Sequence, residues 1–332
     1  MSQVILSGIR ATGRLHFGNF LGAVQNFVKF QEQIDATCMY FVADWHTLTT
    51  LKDPEVLRSN LIEMIKDYIA AGLDPNKSII YTQSSIPEIA ELALYLSMFQ
   101  PINELNLIPT YKELVRKNPD QVSLGLLSYP ILMAADILGP RATMIPVGED
   151  QIPNVELARS LAQRFNRRFG EIFVIPEMME QMIKVPGLDG NKMGKSDNNS
   201  IEIGAPMNII GKLYMKKGIT DPERKHLMDL GDPYNRCKSV YGIHELITQD
   251  EKDLRVIANK CMKAEISCVE CKKILVESIA KILIPFQEKR KELTDKDDYV
   301  SEILYEGGKR ARSIIAKTVA VVRDKMGIVL YS

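Results

Sequence analysis

Two short stretches carry residues suited to chemistry on phosphate. The first is His16-Phe17-Gly18-Asn19, which follows the apolar run "QVILSG" and opens the segment "FGNFLGAVQNFVKFQEQ". A turn from strand into helix presents backbone N–H groups and a positive helix end to an anion. Gly18 lets a flat base or a phosphate approach the backbone closely. His16 and Asn19 flank it as hydrogen-bond donors, and Gly8, Gly13 and Gly22 keep the neighbourhood open. The second stretch is Lys192-Met193-Gly194-Lys195-Ser196, within "PGLDGNKMGKSDNNS". This Gly-, Asn- and Lys-rich composition reads as a mobile surface loop. Two lysines three positions apart on it make a movable clamp for a triphosphate. Each stretch has an ordinary alternative, a glycine-rich turn with a chance histidine and a solvated charged loop; the pair together is specific.

These residues need elements to hold them. "QVILSG", "TCMYFVAD", "SIIYTQ", "ATMIPVG" and "EIFVIP" are short, β-branched and bounded by turn residues, which predicts five strands. Between them, "FGNFLGAVQNFVKFQEQ", "PEVLRSNLIEMIKDYIAAGL" and "DQIPNVELARSLAQRFNRRFG" repeat apolar residues at helical spacing. Alternating strands and helices predict an α/β fold, a Rossmann-like parallel sheet wrapped by helices. Beyond the lysine loop strands nearly vanish. "CKKILVESIAKILIPFQEKRKEL" and "YVSEILYEGGKRARSIIAKTVAVVRDKMG" predict a helical C-terminal third. At 332 residues the chain is long enough for two domains.

The bulk composition excludes some classes. Lys and Arg number 42 against 42 Asp and Glu, so a diffuse polyanion binder is not indicated, although a local basic patch is compatible with neutrality. The opening "MSQVILSG" lacks a basic n-region and a long apolar core, and no apolar run approaches the roughly 18 residues that span a membrane. A cytoplasmic protein is expected.

"HFGN" and "KMGKS" resemble the two signatures of class I aminoacyl-tRNA synthetases, written HIGH and KMSKS. The stretch from Ser128 to Gly170, together with "SGIRATGRLHFGN", "VADWHTLTT" and "EGGKRAR", closely resembles the bacterial tryptophanyl-tRNA synthetase family, nearly end to end. Two departures stand out: asparagine replaces the last histidine of HIGH, and Gly194 replaces the serine of KMSKS. That glycine removes a hydroxyl and loosens the loop, which bears on loop closure.

The resemblance implies ATP-dependent activation of L-tryptophan, release of pyrophosphate, and transfer to the 3′ end of tRNA(Trp) by a homodimer. It implies ATP contacts from Arg10, His16, Gly18, Asn19, Gly148, Glu149, Asp150, Lys192, Met193, Lys195 and Ser196, with His16, Asn19, Lys192 and Lys195 acting on the phosphates. Tyr129 and Gln151 would hold the α-amino group, with Gly8 and Arg10 over the carboxylate and α-phosphate and His46 beside the pocket. Mg2+ would travel with ATP, since no dense carboxylate cluster marks a site for it. The implied division is a catalytic domain with a dimerisation insert over 1–185, the lysine loop over 186–205, a helical anticodon-binding domain over 206–290, and a C-terminal helix over 291–332 packed back on the catalytic domain.

The amino-acid pocket can also be read from residues. Tyr129, Met133 and Asp136 fall at i, i+4 and i+7, on one helix face. An indole has one donor and no acceptor, so its pocket needs an acceptor in apolar surroundings. Asp136 supplies the acceptor, and Met133, Ile145 and Val147 supply adaptable packing. An ordinary core helix is the alternative. Tyrosine also donates to an aspartate, and the context "LMAADIL…IPVGEDQ" is what resembles the tryptophan enzymes. Arg159, Arg164, Arg167 and Arg168 on one helix, and Lys309, Arg310 and Arg312 on another, are candidates to meet tRNA phosphate or to form a solvated face. Two other classes compete: a different adenylyltransferase with an HxGH-like turn, and a synthetase-derived binding protein without catalysis.

Four of the five cysteines follow C-x23-C-x6-C-x2-C: Cys237, Cys261, Cys268 and Cys271. In a reducing compartment such clustering leans toward metal ligation or free thiols. A zinc knuckle would show two close pairs, and this spacing has one. A branch of the resembled family carries a [4Fe-4S] cluster on four cysteines at nearly this spacing, which makes a cluster the expectation, with zinc or free thiols as the alternatives.

Overall fold

The computed structural model describes residues 3–33, 35–117, 119–179 and 183–329. They divide into two compact units. The first comprises residues 1–13, 27–182 and 296–332; the second comprises residues 14–26 and 183–295. This differs from the boundaries expected from sequence in one respect that matters for chemistry. The His16 turn clusters with the lysine loop and the helical segment.

The first unit is built on a five-stranded sheet of β1 (Gln3–Ile9), β2 (Ala36–Val42), β3 (Ser78–Thr82), β4 (Met144–Pro146) and β5 (Glu177–Met179), in the order β3-β2-β1-β4-β5. All pairs are parallel, with Gly8 opposite Phe41 and Ile5 opposite both Cys38 and Met144. Strand order reverses between β1 and β4, so their carboxyl ends open a crevice of the kind that binds ligands in doubly wound sheets. β2 is buried along most of its length, as a parallel strand covered on both faces must be.

The fifth strand is a correction. Expected over 171–176, it lies at Glu177–Met179. Ile172 and Phe173 are buried, and both donate their backbone N–H to Asn166 Oδ1 (3.1 and 2.9 Å). Their β-branched and aromatic character marks burial there, while a side-chain amide takes the place of a neighbouring strand.

The helix Asp297–Met326 packs against β3 and the helix Pro87–Ser97. Gly307 makes this possible, because a Cβ there would stand 1.8 Å from the carbonyl oxygen of Ile80. Arg312–Glu88 and Arg323–Glu91 ion pairs flank the contact. The cores of the sheet and its helices merge into one cluster that includes Leu6, Met39, Leu92, Ala135, Leu161 and Ile315.

The second unit is helical: Met207–Lys217, Val240–Ile247, Glu251–Met262 and Cys268–Glu292. The last begins at a capping box, in which Ser267 accepts from the Glu270 N–H and Glu270 accepts from the Ser267 N–H. Its buried face, Leu275, Ile279, Leu283 and Phe286, repeats at helical spacing. Among the described residues no helix is long and apolar enough to cross a membrane.

Candidate active site

In the sheet unit, sequence-distant polar residues meet at the carboxyl ends of the strands. Asp136, on the helix Leu124–Leu138, is 3% exposed, and both of its carboxylate oxygens accept from protein. Gln83 Nε2, just past β3, donates to Oδ1 (2.9 Å) and Oδ2 (2.8 Å). His46, just past β2, places Nε2 3.0 Å from Oδ2. Burial raises the Asp136 pKa, and the His46 and Gln83 hydrogen bonds work against that rise. The His46 N–H donates to Gln83 Oε1 (3.3 Å), which closes the network.

Tyr129 stands one to two turns before Asp136. Its ring lies edge-on to His46 with centroids 6.2 Å apart, and its hydroxyl is 2.5 Å from Thr110 Oγ1. Asn154 bonds the same tyrosine and also donates to Gln151 Oε1 (2.9 Å), so Tyr129, Asn154 and Gln151 are joined. Gln151 in turn donates to Asp150 Oδ2 (3.1 Å). Glu149 and Asp150 are exposed on a short 3-10 turn capped by Gly148. Met133 and Val147 are partly buried against the core, as pocket walls must be. Ile145, inside β4, is 3% exposed and belongs to the core against which they pack.

Gly8 and Arg10 end β1. A Cβ at Gly8 would lie 2.6 Å from the tip of the Phe41 ring, so a side chain here would have to displace that ring. Arg10 donates from Nη2 to Thr50 Oγ1 (2.6 Å), while its buried Nε has no partner. Desolvation lowers the Arg10 pKa. A buried guanidinium N–H without an acceptor is well placed for an anion.

The second unit gathers the phosphate-type residues. His16 is an extended N-cap whose Nδ1 accepts from the Asn19 N–H (3.2 Å), and Asn19 Oδ1 accepts from the His16 N–H (3.4 Å). Nδ1 is therefore the acceptor and Nε2 carries the ring proton in the neutral form. The turn is pinned by the chain just past the lysine loop: Phe17 N–H to Ile201 O (2.7 Å), and an antiparallel bridge from His16 to Glu202. Gln287, on the long helix, anchors that chain through Ile203 O and Ala205 O (2.8 and 2.9 Å).

The lysine loop is a small hairpin, with Pro186 bridged to Lys192 and Met193 N–H bonded to Val185 O (2.9 Å). Met193 is buried, and its Sδ accepts from the Gly18 N–H (3.1 Å). Lys192 and Lys195 both act on His16: burial and then these two charges depress its pKa to about 4. The structure thus brings His16, Gly18, Asn19, Lys192, Met193 and Lys195 together. The Ser196 side chain lies outside the described residues.

Several of the basic helix residues are paired within the protein. Arg164 pairs with Glu104, Arg159 with Glu156, and Arg312 with Glu88; Arg310 donates to Pro75 O. Lys309, Arg167 and Arg168 remain exposed.

None of the five cysteines forms a disulfide. Cys237 and Cys271 are buried, and burial raises their pKa to about 11 and about 12, each raised further by other thiols of the group. Arg224 Nη1 reaches Cys261 Sγ (3.7 Å), and His244 Nε2 lies 3.7 Å from Cys271 Sγ. Among the described residues no group of three or more His, Cys, Asp or Glu stands where it could hold a metal ion.

Sequence reasoning missed Gln83, Asn154 and Thr110. Gln83 carried a usable signal, a polar residue at the carboxyl end of a central strand.

A parallel sheet whose switch point carries a buried acceptor, joined in sequence to a turn and loop that concentrate cationic groups, defines a nucleotide-dependent enzyme of the class I synthetase type. The family described as tRNA synthetases class I (W and Y) matches residues 2–284, and the chain belongs to it. The tryptophan–tRNA ligase of Thermotoga maritima is 40% identical over 328 residues, covering 98% of this chain and 99% of that one. That of Porphyromonas gingivalis is 38% identical at the same coverage. In structure, the tryptophanyl-tRNA synthetase of Campylobacter jejuni in complex with ADP and tryptophan matches with a TM-score of 0.85 at 34% identity, covering 98% of this chain and all of that one.

The chain has 4 histidines, so His16 can be followed individually by NMR. Its midpoint is expected near 4, against 6.5 for an unperturbed imidazole, and Lys195→Ala should move it upward. With a folded pKa below the unfolded one, the unfolded chain binds the extra proton, so this group's contribution to stability is complete above 6.5 and is lost as pH falls from there toward 4. A midpoint near 6.5 would contradict the assigned environment.

Proposed function

We propose that the chain is a tryptophan–tRNA ligase. A tryptophan carboxylate oxygen attacks the α-phosphorus of ATP, the bond to the β-phosphate oxygen breaks, and pyrophosphate leaves. The 3′-terminal ribose hydroxyl of tRNA(Trp) then attacks the activated carbonyl and AMP leaves. No protein nucleophile is needed, so the enzyme works by positioning and by stabilising charge that builds on phosphate.

The observation that carries the choice of tryptophan is the Asp136 network. Gln83 bonds both carboxylate oxygens and His46 bonds Oδ2 alone, which leaves Oδ1 with lone-pair capacity for an indole N–H. Because Asp136 is held by two donors on different strands' ends, it is oriented before any ligand arrives. The joined Tyr129, Asn154 and Gln151 offer hydroxyl and amide oxygens suited to an α-ammonium group.

His16, neutral at pH 7, donates from Nε2 and adds no charge of its own. Lys192 and Lys195 supply the charge, and the Gly18 N–H exchanges the weak Met193 sulfur for a phosphate oxygen. Arg10 Nε suits the substrate carboxylate or α-phosphate. Mg2+ adds Lewis-acid neutralisation when it comes with ATP. The phosphate oxygens of ATP would supply most of its ligands. Residues 206–290 serve as the anticodon-binding part, and the protein works in the cytoplasm.

Two assembly features complete the reading. Met98, Ile102, Leu107 and Leu124 of the sheet unit are large, apolar and exposed, which supports a homodimer interface there. Cys237, Cys261, Cys268 and Cys271 hold a [4Fe-4S] cluster. The donor set is four soft thiols without oxygen donors, which suits iron and sulfur. Among the described residues no group of three or more such side chains stands where it could hold a metal ion, so a cluster or a zinc ion alike would have to draw these thiols together on binding. The cysteines sit where the helix Pro233–Arg236 ends, in the last turn of Glu251–Met262 and in the first turn of Cys268–Glu292, so the group joins three helix ends.

Tryptophan-dependent ATP–pyrophosphate exchange, with tyrosine as control, tests the function directly. Lys195→Ala is expected to slow exchange by on the order of 10²–10³ while tryptophan affinity changes little; an unchanged exchange rate would remove the clamp assignment. Sedimentation at micromolar concentration should show a dimer, and a monomer would overturn the interface. Anaerobically prepared protein should contain iron and a broad visible absorbance. Iron-free protein with stoichiometric zinc, or with neither metal, would overturn the cluster.

A further inference from the structure

We infer that Asn199 is the positioning residue of the lysine loop, its buried side-chain amide holding the backbone on both sides of Met193 and so fixing where Lys192 and Lys195 emerge. This rests on the reading of that loop as the phosphate clamp. Asn199 is 2% exposed, although it follows the loop's short 3-10 turn, in a segment whose composition reads as solvated. Its Oδ1 accepts from the Gly194 N–H (2.8 Å). Its Nδ2 donates to the Lys192 carbonyl (3.1 Å) and to Asp189 Oδ1 (2.8 Å). Its own carbonyl accepts from the Leu188 N–H (2.9 Å). One residue therefore ties the incoming arm, the tip and the outgoing arm of the hairpin.

The geometry is selective for an amide. Donor and acceptor of one planar group meet an acceptor and a donor that flank a single residue, which is the pattern a neighbouring strand would present. Asp189 is itself oriented by Asn191, whose backbone and side-chain N–H groups bond its two oxygens (3.0 Å each). Gly187 leaves room for the arrangement: a Cβ there would lie 2.5 Å from Asn199 Cγ. Gly194 has no side chain with which to stiffen the loop, and its N–H is held by Asn199 instead. The loss of the signature serine is thereby offset by a hydrogen bond from outside the motif.

An aspartate at 199 would keep the shape and lose the donor, setting a carboxylate against the Asp189 carboxylate and the Lys192 carbonyl. An asparagine at 189 would return a donor to that contact. The test compares wild type, Asn199→Asp, Asp189→Asn and the double variant by tryptophan-dependent pyrophosphate exchange and by trypsin cleavage at Lys192 and Lys195 in the resting protein. Asn199→Asp should lower kcat by roughly 10- to 100-fold, leave the KM for tryptophan within a few-fold, and speed cleavage at the two lysines. The double variant should recover both readouts. A general folding defect would move KM and kcat together without rescue, and that result overturns the inference, as does an Asn199→Asp enzyme that matches wild type in both readouts. If wild type shows no exchange at all, the function reading fails, and cleavage with its rescue still decides the role of Asn199.

Discussion

A carboxylate taken out of water must be hydrogen-bonded or it destabilises everything packed around it, and Asp136 imposes that condition on the whole sheet unit. Its two donors come from the ends of different strands, Gln83 after β3 and His46 after β2, while the carboxylate itself comes from a helix laid across them. The strand register and the helix position therefore have to be right together. Displacement of any one leaves a buried charge or a buried amide unpaired, at a cost of about 1–3 kcal/mol or more. The same three residues leave an oriented acceptor at the switch point of the sheet. On the proposed function, folding and recognition are served by one network, so neither Gln83 nor His46 needs to touch a ligand to matter for selectivity.

The second unit solves a different problem, the concentration of positive charge around a neutral histidine. Two lysines and burial together keep His16 uncharged far below neutral pH. A protonated imidazole would add a third positive charge to a cluster that must also exist without its ligand. The neutral ring keeps a donor in place at lower electrostatic cost, and its tautomer is fixed by the Asn19 N–H. The replacement of the last signature histidine by asparagine contributes here, since Asn19 closes the reciprocal cap that sets the ring.

Much of this was legible in the sequence, for reasons that differ by element. Strands β1 to β3 and the long helices announce themselves through local pattern, and the His16 turn and lysine loop through composition. The fifth strand misled because burial and strand pairing share one vocabulary of residues; at Ile172 and Phe173 the partner is the Asn166 amide. The ion pairs of the basic helix residues were not legible because charge in a sequence does not show its partner, and Glu104 lies about 60 positions from Arg164 in the chain. Gln83, Asn154 and Asn199 were silent for a related reason. A side-chain amide is equally at home in water and in a network, and only the fold says which. The grouping of residues 14–26 with the lysine loop is likewise a tertiary fact.

The resting donors share a property that bears on how binding is made favourable. The Gly18 N–H is met by a thioether sulfur, one of the weakest acceptors a protein has. Arg10 Nε is buried without a partner. Each is a poorly satisfied donor, so an anionic oxygen that reaches it gains a charge-assisted bond and gives up little in return. Asp136, His46 and Gln83 represent the opposite choice, an acceptor oriented by protein donors before any ligand arrives. On the proposed function, poorly satisfied donors serve where charge develops on phosphate, and a pre-oriented network serves where side chains are discriminated. A site that reversed those choices would bind phosphate weakly and accept the wrong amino acid.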